Sequence, residues 1–265
     1  MLYGIDIFSG AGGLSLGAEM AGIKITHAVE INESAARTFM KNHKEAQIHQ
    51  VDIKDIKSEA LKSSQNPVFV IMGGPPCQGF SLSNTRSGNM DNDKNYLFLE
   101  FVRLVREIKP VWFVLENVGG LTNINKGETQ TMIEDCFRAL GYTVSSKVLW
   151  ASDYGVPQCR NRFFMVGNLK GIEFEFPEPF SYKVSVGEAI GDLPILTNGE
   201  MIEKSPYTVP FEEASEYAKV MRKKSDEATQ NYVSRNNDLV IERYKYIGQG
   251  QNWKAIPEHL MQNDA

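Results

Sequence analysis

Short apolar runs alternate with amphipathic stretches through the first two thirds of the chain. The apolar runs have the length of buried strands, and the stretches between them carry apolar residues at helical spacing. Strands are predicted at residues 3–8, 25–30, 47–51, 68–72, 111–115, 142–150 and 163–167, and helices at residues 14–21, 33–43, 96–105 and 129–140. This alternation predicts an α/β fold with a doubly wound, mostly parallel sheet of the Rossmann-like type.

The alternation ends after the seventh predicted strand. Pro177 and Pro179 follow it, prolines recur further on, and polar residues dominate. The sequence therefore predicts a larger domain over residues 1–178 and a second, smaller domain over residues 179–265. A basic run at residues 222–224 stands among plentiful acidic residues, so a solvated helix face is a better interpretation of it than a nucleic-acid surface.

A glycine-rich turn at residues 9–13 separates the first predicted strand from the first predicted helix. Such a βα unit can hold an anionic or nucleotide-like ligand at the helix N-terminus. The full dinucleotide pattern requires a glycine where Ser15 stands, so the turn alone fits a structural role equally well. Glu30 follows the second strand at the distance at which such folds place a carboxylate on ribose hydroxyls, and this pairing favours a cofactor site.

Carboxylates also follow two later strands. Asp52 comes directly before Ile53, so the pair could bind an adenine through its amine and one ring face, although Asp52 or Asp55 could equally cap a helix. Glu116 follows the fifth strand, and the carboxyl ends of strands in open α/β sheets line the ligand crevice. Together these acids predict a site along one edge of the sheet.

Cys77 stands in a rigid turn directly after the fourth predicted strand. Two glycines and two prolines, at residues 73–76, break that strand and restrict the backbone before the cysteine. A thiol held at the carboxyl edge of a parallel sheet is a candidate nucleophile.

Composition limits the class of protein without identifying it. The chain is 42% hydrophobic and 23% charged, carries a net charge of −5 and contains three cysteines, which is typical of a reduced cytoplasmic protein. We expect no disulfide framework, no metal site, no signal peptide and no membrane span. The negative charge argues against a surface coated with nucleic acid but leaves room for a local basic groove.

Five short motifs follow one another along the chain, and each lies close to an end of a predicted strand. They are residues 6–13 with Glu30, residues 52–53, residues 75–78 (Pro-Pro-Cys-Gln), residues 116–118 (Glu-Asn-Val) and residues 158–162 (Gln-Cys-Arg-Asn-Arg). In this order and spacing they closely resemble the cytosine-5 DNA methyltransferase family. The resemblance implies a sheet of the S-adenosylmethionine-dependent methyltransferase type and methyl transfer to carbon 5 of a flipped cytosine in double-stranded DNA, within a restriction–modification system in the bacterial cytosol or nucleoid.

The resemblance also assigns catalytic residues. Cys77 would add to carbon 6 of the ring, Glu116 would protonate the ring nitrogen, and Arg162 would stabilise charge near the ring carbonyl oxygen. Arg160 would support the site or bind a phosphate. Gln78 and Asn117 complete the predicted catalytic set.

The implied cofactor is S-adenosylmethionine, with S-adenosylhomocysteine as product and no metal. Glu30 would bind the ribose and Asp52 with Ile53 the adenine. The predicted cofactor-binding residues are Phe8, Ser9, Gly10, Ala11, Gly12, Gly13, Glu30, Ile31, Asp52, Ile53, Gly74, Pro75 and Leu97.

Family members usually continue beyond the motifs found here, with the rest of a target-recognition region and closing motifs. The second domain, at residues 179–265, is therefore expected to be a partial target-recognition region. A companion polypeptide is expected to supply the remainder, and a truncated chain is the alternative. An RNA cytosine methyltransferase on the same scaffold, a nicotinamide-dependent oxidoreductase and an inactive scaffold are the other interpretations, and the intact Cys77, Glu116 and Arg162 argue against the last.

Overall fold

The computed structural model describes residues 1–62, 67–76, 96–223 and 225–261. The chain divides into two compact units, Met1–Tyr182 and Lys183–Ala265. The sequence prediction divided the chain four residues earlier, and its assignment of a role to each domain stays a prediction.

The first unit is built on a seven-stranded sheet with the strand order β3-β2-β1-β4-β5-β7-β6. Neighbouring strands from β3 to β5 run parallel, whereas β7 is antiparallel to both β5 and β6. The strands are β1 Leu2–Ile7, β2 Ile23–Val29, β3 Gln47–His49, β4 Val68–Gly73, β5 Trp112–Val118, β6 Thr143–Trp150 and β7 Asn161–Asn168. The predicted α/β fold with a mostly parallel sheet is confirmed.

In the described part of the first unit, four α-helices connect these strands. They are α1 Gly13–Met20, α2 Glu33–Asn42, α3 Tyr96–Ile108 and α4 Glu128–Ala139. Short 3-10 helices lie at Ser58–Leu61, Gly119–Gly127 and Ala151–Tyr154. The side chain of Asn32 accepts a hydrogen bond from the backbone of Ala35, which fixes the start of α2 directly after the end of β2.

The chain changes its direction of winding between β1 and β4, which are neighbours in the sheet. It first builds β2 and β3 on one side of β1 and then returns to build β4 and β5 on the other side. Ligands of open α/β sheets bind outside the carboxyl ends of the strands at such a switch point. The glycine turn and Glu30 follow the carboxyl ends of β1 and β2. Glu116 was predicted to follow the fifth strand, but it lies among the last three residues of β5, because pairing with β7 extends that strand to Val118.

The reversed direction of β7 follows from its short connection to β6. Only residues 151–160 join the two strands, and this is too short for the helical crossover that a parallel pair requires. As a result, the amino end of β7 lies at the same edge of the sheet as the carboxyl end of β5. The sequence prediction did not anticipate this reversal.

Aromatic packing anchors the centre of the sheet. Phe113 of β5 stacks on Phe137 of α4 with ring centroids 4.0 Å apart, and both side chains are fully buried. Phe101 of α3 contacts both rings edge to face. The central strands are therefore fixed by a dense apolar core, so the side chains that follow them project from a rigid frame.

The described residues of the second unit form a two-stranded antiparallel sheet and four short α-helices. Its strands are β8 Met201–Pro206 and β9 Glu227–Tyr232, and its helices are α5 Val186–Ile190, α6 Glu216–Arg222, α7 Asp238–Lys245 and α8 Glu258–Met261. In neither unit does a described helix have the length and apolarity needed to cross a membrane.

Arg222 lies inside the second unit and not on a solvated face. Its Nη2 is 2.7 Å from Oδ2 of Asp192, and its guanidinium lies 4.0 Å from the centre of the Tyr207 ring. The sequence interpretation of residues 222–224 as a solvated helix face is therefore wrong for Arg222, because a carboxylate and an aromatic ring compensate the buried charge. Lys224 lies outside the described residues.

Candidate functional site

The glycine turn has a backbone that few other sequences could adopt. Gly10 and Gly12 have positive φ angles of 55° and 95°, and Phe8, just before them, has a φ of 62°. A left-handed backbone is strained for a residue such as Phe8, and strain of this kind is concentrated at functional sites. The turn leads directly into α1, which Gly12 caps without a side-chain hydrogen bond.

His43 packs against this turn. A methyl group on Gly12 would lie 2.2 Å from Nε2 of His43, so the two residues are already in close contact. The imidazole is buried and packs on Phe39, while its Nδ1 lies 3.0 Å from the Glu19 carboxylate. The turn therefore packs against the His43 side chain, which Glu19 of α1 and Phe39 of α2 fix in place.

Replacing Gly12 with alanine is expected to destabilise the first unit. The left-handed backbone alone costs about 1–3 kcal/mol for a residue with a side chain, and the clash with His43 adds to this cost. Thermal unfolding measures the loss. The matched control is Gly13→Ala, because a methyl group there has no atom within 4 Å and φ is not left-handed. Equal melting temperatures for the two variants would contradict the proposed close fit.

The Glu30 carboxylate is fixed by backbone donors on both sides. Its Oε2 accepts a hydrogen bond from the Gly10 amide at 2.8 Å, and its Oε1 accepts one from the Asn32 amide at 2.7 Å. One side chain thus connects the glycine turn to the start of α2. Each carboxylate oxygen keeps further acceptor capacity for ligand hydroxyls.

A cavity of about 400 Å³ opens beside Glu30, and we call it the Glu30 cavity. Its wall includes many of the predicted cofactor-binding residues together with three that the sequence prediction missed. The predicted residues are Phe8, Glu30, Ile31, Asp52, Ile53, Gly74 and Leu97, and the missed ones are Val29, Val51 and Pro76. Two carboxylates and several apolar side chains form a wall suited to a nucleoside.

Arg103 holds one side of this cavity in place. Its Nη2 donates hydrogen bonds to the backbone carbonyls of Ile53 and Ile56, both at 3.1 Å. Ion pairs to Glu100 and Glu107 orient the guanidinium from α3. In the sequence, these three charges resemble ordinary helix-surface pairs, so no sequence signal indicates the contact with the carbonyls.

A second cavity of about 370 Å³ adjoins the first, and we call it the Glu116 cavity. Phe8 and Gly74 belong to the walls of both cavities. The other residues of the second wall are Asp6, Gly13, Leu14, Glu116 and Phe164. A ligand in the Glu30 cavity can therefore extend past Phe8 toward Glu116.

Glu116 and Arg162 form an ion pair across neighbouring strands. Nε of Arg162 lies 2.6 Å from Oε1 of Glu116, and both side chains are less than one third exposed. The pairing of β5 with β7 sets Glu116 opposite Phe164 and Val118 opposite Arg162, so the two charged side chains share one face of the sheet. A methyl group on Gly74, the residue after β4, would lie 2.8 Å from Oε2 of Glu116, so the backbone there closes the other side of the ion pair.

Burial raises the pKa of the Glu116 carboxyl above its ordinary value, and the guanidinium of Arg160 partly opposes this rise. Contact with Arg162 also favours the ionised carboxylate. A ligand that draws Arg162 away would therefore leave a desolvated carboxyl group that is protonated more readily than an ordinary glutamate.

Asn117 connects the end of β5 to the segment that precedes Cys77. Its Nδ2 donates a hydrogen bond to the Pro75 carbonyl at 2.9 Å, and its Oδ1 accepts one from the Val118 amide at 2.8 Å. These contacts are those of a positioning residue. Cys77 and Gln78 themselves lie outside the described residues.

The remaining predicted residues belong to the glycine turn or come shortly before Cys77 or β7 in the chain. Ala11 and Arg160 are exposed, whereas Pro75 and Ser9 are buried. The Ser9 hydroxyl oxygen is buried without a hydrogen-bond partner in the described part of the chain, and so is Oδ1 of Asp6. Polar atoms of this kind beside two cavities fit the binding of a polar cofactor.

Among the described residues, no group of three or more histidine, cysteine or acidic side chains is placed to hold a metal.

Comparison with known proteins agrees with this arrangement. Residues 2–264 match the C-5 cytosine-specific DNA methylase family. The Type II methyltransferase M1.HphI of Haemophilus parahaemolyticus is 43% identical over 200 residues, which cover 74% of this chain and 54% of that protein. The Type II methyltransferase M.DdeI of Desulfomicrobium norvegicum is 35% identical over 268 residues, which cover 97% of this chain and 64% of that protein. The chain thus spans between half and two thirds of the length of these relatives.

A solved structure is also similar. It is an E. coli protein described as a prophage-encoded DNA modification methyltransferase, which matches with a TM-score of 0.75 at 28% identity and covers 96% of this chain and 78% of that one. The family match includes the glycine turn, both cavities and the Glu116–Arg162 pair. This chain therefore belongs to the C-5 cytosine-specific DNA methylase family.

Proposed function

We propose that this chain transfers a methyl group from S-adenosylmethionine to carbon 5 of cytosine in double-stranded DNA, as part of a Type II restriction–modification system in the bacterial cytoplasm. One observation carries the proposal: the Glu30 cavity, suited to a nucleoside, meets the Glu116 cavity, which contains an acid–cation pair, at Phe8 and Gly74. A methyl donor and a base could therefore meet at this junction.

In this proposal, Glu30 holds the ribose hydroxyls and Asp52 accepts from the adenine amine. Ile53, Leu97 and Phe8 cover the apolar faces of the nucleoside. The Ser9 hydroxyl and the backbone of residues 10–13 bind the rest of the cofactor at the start of α1. When bound, S-adenosylmethionine supplies an electrophilic methyl group.

Glu116 and Arg162 would activate the flipped cytosine for attack by the Cys77 thiolate. Glu116 delivers a proton to the ring nitrogen, while Arg162 lies beside the ring carbonyl oxygen and stabilises negative charge as it develops. Both side chains project from paired strands, so the charges are oriented before the base arrives. Arg160, at the exposed rim, supports this site or binds a DNA phosphate.

Cys77 is proposed to act as the nucleophile. Its thiolate forms a bond to carbon 6, and the electrons of the ring double bond make carbon 5 nucleophilic. Carbon 5 would then take the methyl group, with S-adenosylhomocysteine as the leaving group. A water molecule would accept the carbon 5 proton, the electrons of that C–H bond would re-form the double bond between carbons 5 and 6, and the C6–S bond would break to release the Cys77 thiolate. Pro76, the residue before Cys77 in sequence, lines the Glu30 cavity, which supports the assignment.

The proposal is tested with methyl-labelled S-adenosylmethionine and, in parallel reactions, unmethylated genomic DNA and transfer RNA. Label is expected in 5-methylcytosine after hydrolysis, and DNA containing 5-fluorocytosine is expected to capture the protein covalently. Cys77→Ala is expected to remove the capture. Label found only in transfer RNA would favour the RNA methyltransferase alternative, and capture by the Cys77→Ala variant would overturn the choice of nucleophile.

A companion polypeptide that completes target recognition is part of this proposal. We expect the purified 265-residue chain to methylate DNA poorly, and the product of a neighbouring reading frame to restore the rate. The assay above is therefore run with and without that second polypeptide. Full activity of the chain alone would argue against the need for a partner.

A further inference from the structure

Phe164 is an aromatic residue of β7 whose side chain lines the Glu116 cavity. Successive side chains of a strand point to opposite faces of the sheet. Phe163 is fully buried in the hydrophobic core on one face, whereas Phe164 is only partly buried and belongs to neither of the two hydrophobic clusters of the described chain. The ring of Phe164 therefore contributes to the wall of the cavity and not to the core.

Phe164 stands between an acid and a cation in a row that crosses three strands. It pairs directly with Glu116 of β5 on one side and with Lys147 of β6 on the other. Residues paired in this way point to the same face of a sheet. Neighbouring strands lie about 4.8 Å apart, so Lys147 starts roughly 10 Å from Glu116. Lys147 is exposed, and two such long side chains could meet across this distance if no ring stood between them.

We propose that Phe164 is a positioning residue for the catalytic acid, because its ring keeps water and the Lys147 ammonium group away from the Glu116 carboxyl group. The inference rests on the proposed function, in which Glu116 donates a proton to the base. Other sides of the carboxyl group are already occupied, since Arg162 contacts Oε1 and the backbone of Gly74 lies close to Oε2. Phe164 covers the side toward β6.

The charged groups around Glu116 give the direction of the effect. Burial raises the pKa of Glu116, and Arg160 opposes this rise, as does the contact with Arg162. Asp6 faces the same cavity from β1, and burial raises its pKa to about 7. Loss of the Phe164 ring would admit water and bring the Lys147 ammonium group closer. Both changes favour the ionised carboxylate, so the pKa of Glu116 should fall.

Catalysis requires the protonated form of Glu116, which is present below the pKa of this group. A lower pKa therefore moves the alkaline fall of the methylation rate to lower pH and does not remove it. A ring needed only for folding would instead lower the rate by the same factor at every pH. The position of the alkaline fall thus distinguishes the two roles of Phe164.

The titration of Glu116 is measured directly in the protein without DNA, by carbon-13 NMR of chain labelled at the glutamate carboxyl groups. The Glu116 resonance is identified by its loss in Glu116→Gln, and the choice of label leaves Asp6 out of the spectrum. In Phe164→Ala, Glu116 is expected to titrate about one pH unit lower than in the wild type. Phe164→Leu keeps an apolar side chain and is expected to titrate close to the wild type.

A double variant separates the two effects of the ring. Phe164→Ala combined with Lys147→Met still admits water but lacks the ammonium group, so part of the change in titration should be recovered. Lys147→Met alone is expected to titrate like the wild type. No recovery in the double variant would overturn the part of the inference that concerns Lys147.

Two further measurements protect the test against a folding defect. Phe164→Gln keeps much of the size of the side chain while adding a polar amide, and Glu116 is expected to titrate lower in it as well. Binding of 5′-methylthioadenosine, a nucleoside without the amino-acid end of the cofactor, reports an intact first unit, because Phe164 does not line the Glu30 cavity.

An unchanged titration of Glu116 in folded Phe164→Ala and Phe164→Gln would overturn the inference and leave the proposed function standing. The role of Glu116 as the acid fails by a different result, an alkaline fall of the methylation rate that persists in Glu116→Gln.

Discussion

DNA methylation is expected to slow by about two to four orders of magnitude when Glu116 is replaced by glutamine, the range that general acid catalysis contributes. Glutamine keeps the shape of the side chain and can donate a hydrogen bond, but it cannot transfer a proton to the ring. Single-turnover methylation of DNA measures the change. Binding of 5′-methylthioadenosine is expected to stay within about twofold, because Glu116 does not line the Glu30 cavity.

The pH profile distinguishes an acid from a purely structural carboxylate. Burial raises the pKa of Glu116, so the protonated form is present below that raised pKa and is lost as the pH increases through it. The wild-type rate should therefore fall on the alkaline side, and Glu116→Gln should lack that fall. Glu45→Gln serves as the control, since Glu45 is an exposed acid paired with Lys24. A rate unchanged in Glu116→Gln would refute the proposed acid.

The second unit is expected to lose about 3–5 kcal/mol of stability when Arg222 is replaced by alanine, as for the breaking of other buried ion pairs. The side chains of Arg222 and Asp192 are only 3% and 7% exposed. Removing Arg222 leaves the Asp192 carboxylate buried without its cation and opens a space beside Tyr207. Hydrogen exchange of the amides in residues 183–261 measures the local loss, because the two units need not unfold together.

Two comparisons make this prediction specific. Lys245→Ala breaks an exposed ion pair with Glu242 in the same unit and is expected to cost at most about 1 kcal/mol. Replacing both Asp192 and Arg222 with leucine removes the uncompensated charge and is expected to recover much of the loss. A cost for Arg222→Ala no larger than that for Lys245→Ala would show that the buried pair adds nothing.

The parallel part of the fold could be predicted because each of its strands carries a strong local signal. The predicted strand at residues 68–72 differs by one residue from β4, since an apolar run between turn residues leaves few alternatives. The predicted third strand extends to residue 51, whereas β3 ends at His49. The length of β3 is limited because, among the described strands, β3 lies at the edge of the sheet and pairs with β2 alone.

The direction of β7 could not be predicted from hydrophobicity, since apolar runs look the same in both directions. Loop length was the available signal, because residues 151–160 cannot form a helical crossover. In the second unit, the charge pattern led to a wrong prediction for Arg222 for a related reason. A buried arginine such as Arg222 looks like any basic residue until its partner, thirty residues away in Asp192, is known.

A motif in the sequence could indicate which residues lie together at this edge of the sheet, whereas effects of the surroundings could not be predicted. Glu30 and Ile53 both line the Glu30 cavity, and their binding of a cofactor stays a prediction. Asp6 was part of a recognised motif, but its missing hydrogen-bond partner depends on burial, which no pattern records. The role of Arg103 depends on carbonyls about fifty residues away in the chain, so neither helix propensity nor hydrophobic periodicity can predict it.

The reversed strand β7 also limits how this protein can vary in length. Arg162 shares a face with Glu116 only while Val118 stays opposite it, and a shift of one residue would turn Arg162 to the far face of the sheet. Insertions and deletions among related proteins should therefore be absorbed at the tip of the connection in residues 151–160. Within β7 itself, a single added residue would separate the acid from its cation while leaving the rest of the sheet intact.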